Sequence, residues 1–158
     1  MSLLNNLQQL CIEKGVSIAV AESCTAGLIA SKLTTLPGSS SYFNGGVVAY
    51  QNEIKTKILG VSQSIIDEKT EVSVEVVNQM AKSVLEKFDA NFAIATTGYA
   101  GPAGGTNKNP IGTVFIAIAS EVDVAVSCFI FLGNRQSIVN QASESALSLL
   151  LTEIKKQY

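Results

Sequence analysis

Along this chain the spacing of apolar positions changes from segment to segment, and each change marks an element. From Leu3 to Lys14 apolar residues fall at Leu3, Leu7, Leu10 and Cys11, the pattern of a helix with one buried stripe, and Gly15 supplies its stop. Val16 to Ala21 is a short unbroken apolar run, read as a buried strand. Thr25 to Leu36 reads as a helix broken by Pro37-Gly38, Gly46 to Tyr50 as a second strand, and Asn52 to Leu59 as a short helix ending at Gly60. Ser73 caps a helix whose inner face carries Val77, Met80, Ala81, Val84 and Phe88. Phe92 to Thr96 is a further buried strand, and Gly98 to Pro110 a long glycine-rich loop. Ile111 to Ala119 and Val122 to Phe131 are close enough in sequence to pair as an antiparallel hairpin. Asn134 caps a last helix with Ile138, Ala142, Leu149 and Leu150 facing inward. Helices and strands alternate before that final hairpin and helix. This predicts one α/β domain over residues 1–158, a three-layer sandwich with a mixed β-sheet flanked by helices.

Composition narrows the function. Apolar residues make up 47% of the 158 and charged residues only 15%, which fits a compact, well-buried fold. The net charge of −2, with no block of Lys or Arg, gives nucleic acid no footing. No apolar run approaches the roughly 18–20 residues that span a bilayer, and the N-terminal Met1-Ser2-Leu3-Leu4-Asn5 does not read as a signal peptide. The 3 cysteines, Cys11, Cys24 and Cys128, are odd in number and far apart, so neither a disulfide framework nor a CxxC metal site is expected. The expectation is a reduced, cytoplasmic protein with no membrane partner. Histidine is absent altogether. That excludes a Ser-His-Asp triad, a Cys-His pair and a histidine-ligated zinc site, so any catalytic base must be Lys, Tyr, Asp or Glu. Serine activated by lysine is the first arrangement to consider.

Three segments and two single residues, Lys55 and Arg135, are candidates for chemistry. Glu22-Ser23-Cys24-Thr25-Ala26-Gly27 lies where a strand meets a helix and reads as an anion cradle or as an ordinary helix cap. Cys24 within it is either a nucleophile activated by the helix terminus or a buried thiol. Gly38-Ser39-Ser40-Ser41 is a catalytic turn or a turn only. Lys55 is a base with a depressed pKa or a solvated charge. Arg135 opens a helix, where the dipole does not favour a cation, which hints at a ligand. The loop Gly98-Tyr99-Ala100-Gly101-Pro102-Ala103-Gly104-Gly105 matches neither a Walker loop nor GxGxxG, but its glycines permit positive φ and close approach.

Taken in order, these segments resemble one family. Glu22-Ser23-Cys24-Thr25-Ala26-Gly27, Gly38-Ser39-Ser40-x-x-Phe43, Tyr50-x-Asn52-x-x-Lys55, Gly98-x-Ala100-Gly101-Pro102-x-Gly104-Gly105 and Pro110-x-Gly112-Thr113-Val114 together resemble the CinA C-terminal domain family, the nicotinamide-nucleotide amidohydrolases. The resemblance covers nearly the whole chain, which looks like a stand-alone member without the family's optional N-terminal domain. It implies hydrolysis of nicotinamide mononucleotide (NMN) to nicotinic acid mononucleotide and ammonia, in pyridine nucleotide salvage. It also implies a Ser/Lys mechanism that needs no metal or cofactor, and a homodimer. Carried over by position, it makes Ser40 the nucleophile, Lys55 the base and Tyr50 a supporting hydrogen-bonding group. Ser23, Thr97 and Arg135 become substrate-site residues, and Thr25, Gly98 and Gly101 are added from the cap and loop beside them.

The implied chemistry suits the residues present. The carboxamide on a pyridinium ring is electron-poor, Lys55 would take the serine proton and return it to the leaving ammonia, and the turn Ser39 to Ser41 would supply oxyanion donors. A helix N-terminus, an arginine or both would hold the 5′-phosphate. Departures from the family pattern fall at Ala26, where a second glycine is common, at Ala103, and at Asn134, where the family has aspartate. A competing reading follows from them: a non-catalytic nucleotide-binding or regulatory module that keeps the pocket but has lost turnover.

Overall fold

A computed structural model describes residues 2–158. Twelve elements follow one another: α1 (Leu3–Lys14), β1 (Ile18–Glu22), α2 (Leu28–Leu33), a 3₁₀ turn (Ser39–Ser41), β2 (Phe43–Val48), α3 (Asn52–Lys57), α4 (Gln63–Lys69), α5 (Val74–Lys87), β3 (Phe92–Gly98), β4 (Thr113–Ser120), β5 (Val124–Ile130) and α6 (Arg135–Gln157). The strands form a 5-stranded sheet in the order β2-β1-β3-β4-β5. β1 runs parallel to both β2 and β3, while β3–β4 and β4–β5 are antiparallel, so the sheet is mixed as the alternation predicted.

Side-chain size sorts the two faces of the sheet. Ile18 and Val20 of β1, Phe92 and Ile94 of β3, and Ile116 and Ile118 of β4 pack with α1, α2 and α6. The intervening Ala19, Ala21, Ala93, Ala95, Ala117 and Ala119 face the other way, onto Val76, Val77, Met80, Ala81 and Val84 of α5. Period-two alternation puts large residues on one face and methyl groups on the other. The alanine face lets α5 lie close against the sheet.

Several boundaries differ from the sequence expectation, each for a local reason. Val16 belongs to the end of α1: Gly15 adopts φ +63°, and the Val16 N–H donates to the Cys11 carbonyl, closing the helix before β1 starts at Ile18. The helix expected from Thr25 starts only at Leu28, because Ala26 and Gly27 both take positive φ (+49° and +96°). β2 starts at Phe43 and ends at Val48, and runs straight through Gly45 and Gly46. At Gly46 a Cβ would stand 2.3 Å from the Val20 carbonyl oxygen, so glycine here serves close strand contact. α4 was not anticipated; Ser62 caps it by accepting from the Ile65 N–H at 3.4 Å.

The topology also fixes where a site can form. The chain leaves β1 to β2 on one side, then returns past β1 to β3 on the other. The order therefore reverses between β1 and β3, and a crevice opens beyond their C-terminal ends.

Candidate active site

At that crevice lies a cleft of about 380 Å³, lined by residues from the ends of β1 and β3, the β2–α3 connection, the α4–α5 connection, the glycine-rich loop and the start of α6. Ser23, Tyr50, Lys55, Thr97, Gly98, Gly101 and Arg135 all line it. The structure thus brings together most of the residues singled out in the sequence, though they are spread from position 23 to position 135.

Lys55 is the chemically unusual group. It sits near the end of the short α3 and is only 1% exposed. Its Nζ donates to the Tyr50 carbonyl at 3.0 Å. Burial pushes its pKa below the ordinary lysine value, while the nearby Glu71 carboxylate and Cys24 act in the opposite direction. Cys24 lines the same cleft, but burial pushes its thiol up to about 12. A thiol that keeps its proton is a poor nucleophile, so the structure favours the buried-thiol alternative at Cys24.

The β1–α2 turn explains Ser23. Glu22 is fully buried, and its carboxylate accepts from the Ile29 and Ala30 N–H groups, both at 2.9 Å, and from the Thr25 hydroxyl at 2.6 Å. The α2 terminus is therefore capped from inside by the chain's own carboxylate, and the anion-cradle alternative falls away. Thr25 is turned inward as well: its Oγ1 lies 2.9 Å from Thr96 Oγ1, it is 2% exposed, and it does not line the cleft. The contacts of its hydroxyl are made within the chain, to Glu22 and Thr96. Ser23 follows Glu22 and is held by its own N–H on the Thr96 carbonyl at 3.1 Å, with its side chain at the cleft. Among the described residues the N–H groups of Cys24 and Thr25 donate to no backbone carbonyl, and they adjoin Ser23.

Ser40 lies apart from the cleft of its own chain. It is exposed on the 3₁₀ turn that precedes β2, whereas Tyr50 and Lys55 follow the other end of that strand. Six residues at roughly 3.3 Å each separate those ends by about 20 Å. Ser40 does not line the cleft, and the turn Ser39–Ser41 cannot give oxyanion donors to it within one chain. Spacing in sequence could not reveal this, because nothing in the Ser40 motif tells which end of β2 the site occupies.

Arg135 ties the mouth of the cleft together. One guanidinium nitrogen donates to the Gly101 carbonyl and the other to the Tyr50 hydroxyl, both at 2.6 Å. Tyr50, accepting that bond, keeps its own proton to donate. The Thr97 hydroxyl donates to the Glu71 carbonyl oxygen at 2.7 Å. The close approach expected of Gly98 and Gly101 is made to the chain itself: a Cβ would meet the Thr113 carbonyl oxygen at 2.6 Å and Ile111 Cγ2 at 2.7 Å. Glu71 and Tyr99 also line the cleft and carried no signal in the sequence, since a lone carboxylate before a capping serine looks like any surface residue. Burial raises the Tyr99 phenol pKa, against a hydrogen bond to Thr70 that lowers it. Among the departures, Ala103 lines the cleft, and Asn134 caps α6 by accepting from the Ser137 N–H at 2.9 Å.

Comparison with known proteins agrees with this architecture. A CinA-like protein of Desulfotalea psychrophila is 45% identical over 142 residues, covering 90% of this chain and 34% of that protein. One from Flavobacterium psychrophilum is 45% identical over 152 residues, covering 96% of this chain and 36% of that protein. The chain thus spans about a third of the length of these curated relatives. Among solved structures, a competence-damaged protein (CinA) superfamily protein from Klebsiella pneumoniae superposes with a TM-score of 0.94 at 30% identity, covering 98% of this chain and 96% of that one. The competence/damage inducible protein CihA from Agrobacterium tumefaciens superposes with a TM-score of 0.89 at 34% identity, covering 96% of each. With the CinA C-terminal domain matched over residues 1–154, this chain belongs to that family.

Proposed function

We propose that this domain hydrolyses the carboxamide of NMN, giving nicotinic acid mononucleotide and ammonia. The observation that carries the reading is Lys55: a buried lysine, made less basic by burial, in a cleft it shares with a serine and an arginine. The family resemblance supplies the substrate, and the geometry supports the roles.

Ser23 is the serine that shares the cleft with Lys55, so it takes the role of nucleophile in place of Ser40. Neutral Lys55 accepts the Ser23 proton as Oγ attacks the carboxamide carbon. The N–H groups of Cys24 and Thr25 meet the developing oxyanion. Lys55 returns the proton to the nitrogen, the C–N bond breaks and ammonia leaves an ester on Ser23. Water, deprotonated by Lys55, then hydrolyses that ester and restores the serine. Arg135 and Tyr50 at the mouth bind the 5′-phosphate. No step calls on a metal or cofactor. The reading places the protein in the cytoplasm as a homodimer, which analytical ultracentrifugation tests.

The test is ammonia release from NMN by the pure protein in EDTA. Ser23→Ala and Lys55→Met are expected to lose at least roughly a hundredfold in kcat, while Ser40→Ala keeps wild-type turnover. If Ser40→Ala is dead and mixing it with Lys55→Met restores activity, Ser40 acts in the cleft of a second copy. A folded wild-type protein that releases no ammonia leaves a nucleotide-binding module instead.

A further inference from the structure

Glu71 is the only carboxylate among the described residues lining the cleft, which it shares with Lys55 and Arg135. Its backbone oxygen is engaged by Thr97, but its carboxylate belongs to none of the ion pairs of the described residues and has no hydrogen-bond partner there. Arg135 is already turned onto Gly101 and Tyr50. The carboxylate is near enough to Lys55 and Tyr99 to favour the protonated form of each. A carboxylate with no ion-pair partner among the described residues is free to meet a positive charge on a ligand. Two aromatic residues, Tyr50 and Tyr99, line the same space, and aromatic rings attract a nearby cation.

We infer that Glu71, in the cleft it shares with Tyr99, recognises the positive charge of a pyridinium ring, so that the cleft selects cationic-ring nucleotides over neutral ones of the same shape. This rests on the amidase reading for the ring's identity, but it concerns binding and is separable from turnover. Without Glu71, Arg135 would leave the cleft positive toward the ring it must hold. Glu71 offsets that charge and sets the ring against Tyr99, while Arg135 at the mouth takes the phosphate. Neutral nicotinamide-like amides and phenyl nucleotides would enter without this gain.

The test uses two probes that lack the scissile amide: pyridinium riboside 5′-phosphate, which is cationic, and its phenyl C-riboside 5′-phosphate counterpart, which is neutral. Calorimetric titration of the wild type should show the pyridinium probe binding roughly tenfold or more tightly. Glu71→Gln should bring the ratio close to one by weakening the cationic probe alone. Unchanged affinity for the neutral probe shows that the variant is folded. Equal affinity of both probes for the wild type overturns the inference. So does a ratio that survives Glu71→Gln, or failure of the wild type to bind the pyridinium probe. The NMN assay is read separately: a wild-type preference for the pyridinium probe that Glu71→Gln abolishes, without ammonia release, sinks the amidase reading and leaves cation recognition standing.

Discussion

Burial moves the protons of Lys55 and Cys24 in opposite senses, and that contrast makes Lys55 rather than Cys24 the group primed to exchange one. A buried thiol keeps its proton, whereas a buried ammonium loses it more readily. Lys55 is competent as a base only when neutral, so turnover should rise with pH through its lowered pKa and level off above it. Lys55→Arg should be inactive across the profile, because arginine does not release its proton. An initial-rate profile of ammonia release checks both; an active Lys55→Arg would reduce Lys55 to a structural charge. The stability sign follows from the same shift. Between the lowered folded pKa and the unfolded value of about 10.5, the unfolded chain binds the extra proton, so stability climbs with pH over that window. Below the window the buried ammonium detracts from stability. Lys55→Met should therefore keep or raise Tm at neutral pH while abolishing turnover, as a thermal melt would show. At Ala26, φ of +49° holds an alanine in the left-handed region. Ala26→Gly relieves strain of roughly 1–2 kcal/mol and adds unfolded-chain entropy of about 0.4–1 kcal/mol. A small net gain in urea-unfolding stability is expected, and a clear loss would show that the Ala26 methyl packs favourably.

At the scale of elements, α2 depends on a residue outside itself. Six residues are too few for an isolated helix, and Glu22, at the end of β1, supplies the cap that joins strand to helix. Glu22→Gln keeps the volume but loses the charge, and its amide NH₂ cannot accept from a backbone N–H. A loss of about 1–3 kcal/mol in urea unfolding is expected, together with lower kcat because Ser23 follows directly. Unchanged stability would mean that the cap matters little. Lys32, whose Nζ reaches Ser143 at 2.7 Å and Glu144 at 2.6 Å, ties the same helix to α6. β2 shows how an element's direction can overrule a motif. It carries Ser40 before one end and Tyr50 after the other, so residues ten positions apart in a promising motif are separated by the length of a strand. Helical stripes with clear caps, as in α5 and α6, were legible in the sequence because Ser73 and Asn134 mark their starts. The sequence expectation sets this strand at Gly46 to Tyr50, later than the observed Phe43–Val48, because the pairing of Phe43 and Gly45 with β1 leaves no local signal.

Across the whole molecule, the sheet is packed asymmetrically, and its alanine face has little room to spare. Ala117→Leu should push α5 outward at about 1–3 kcal/mol, whereas Ile94→Val on the opposite face should lose about 0.5–1.5 kcal/mol. Because α5 follows directly from the Glu71 segment of the cleft, Ala117→Leu should also raise KM for NMN; an unchanged KM would show that the α5 face and the cleft are uncoupled. The sequence by itself determined the α/β class, the paired last strands, the lack of a histidine-based mechanism and most of the residues of the cleft. These depend on local spacing and residue chemistry, which are written in the chain in order. Only the tertiary structure decided that Ser23 and not Ser40 shares a cleft with Lys55, that Glu22 fills the helix terminus expected to bind an anion, that Thr25 turns inward, and that Glu71 enters the cleft. Each of those depends on strand order and on the end of the sheet a residue occupies. Contacts between positions such as 23, 55, 71 and 135 are set by the packing of the whole sheet, and no local pattern encodes them.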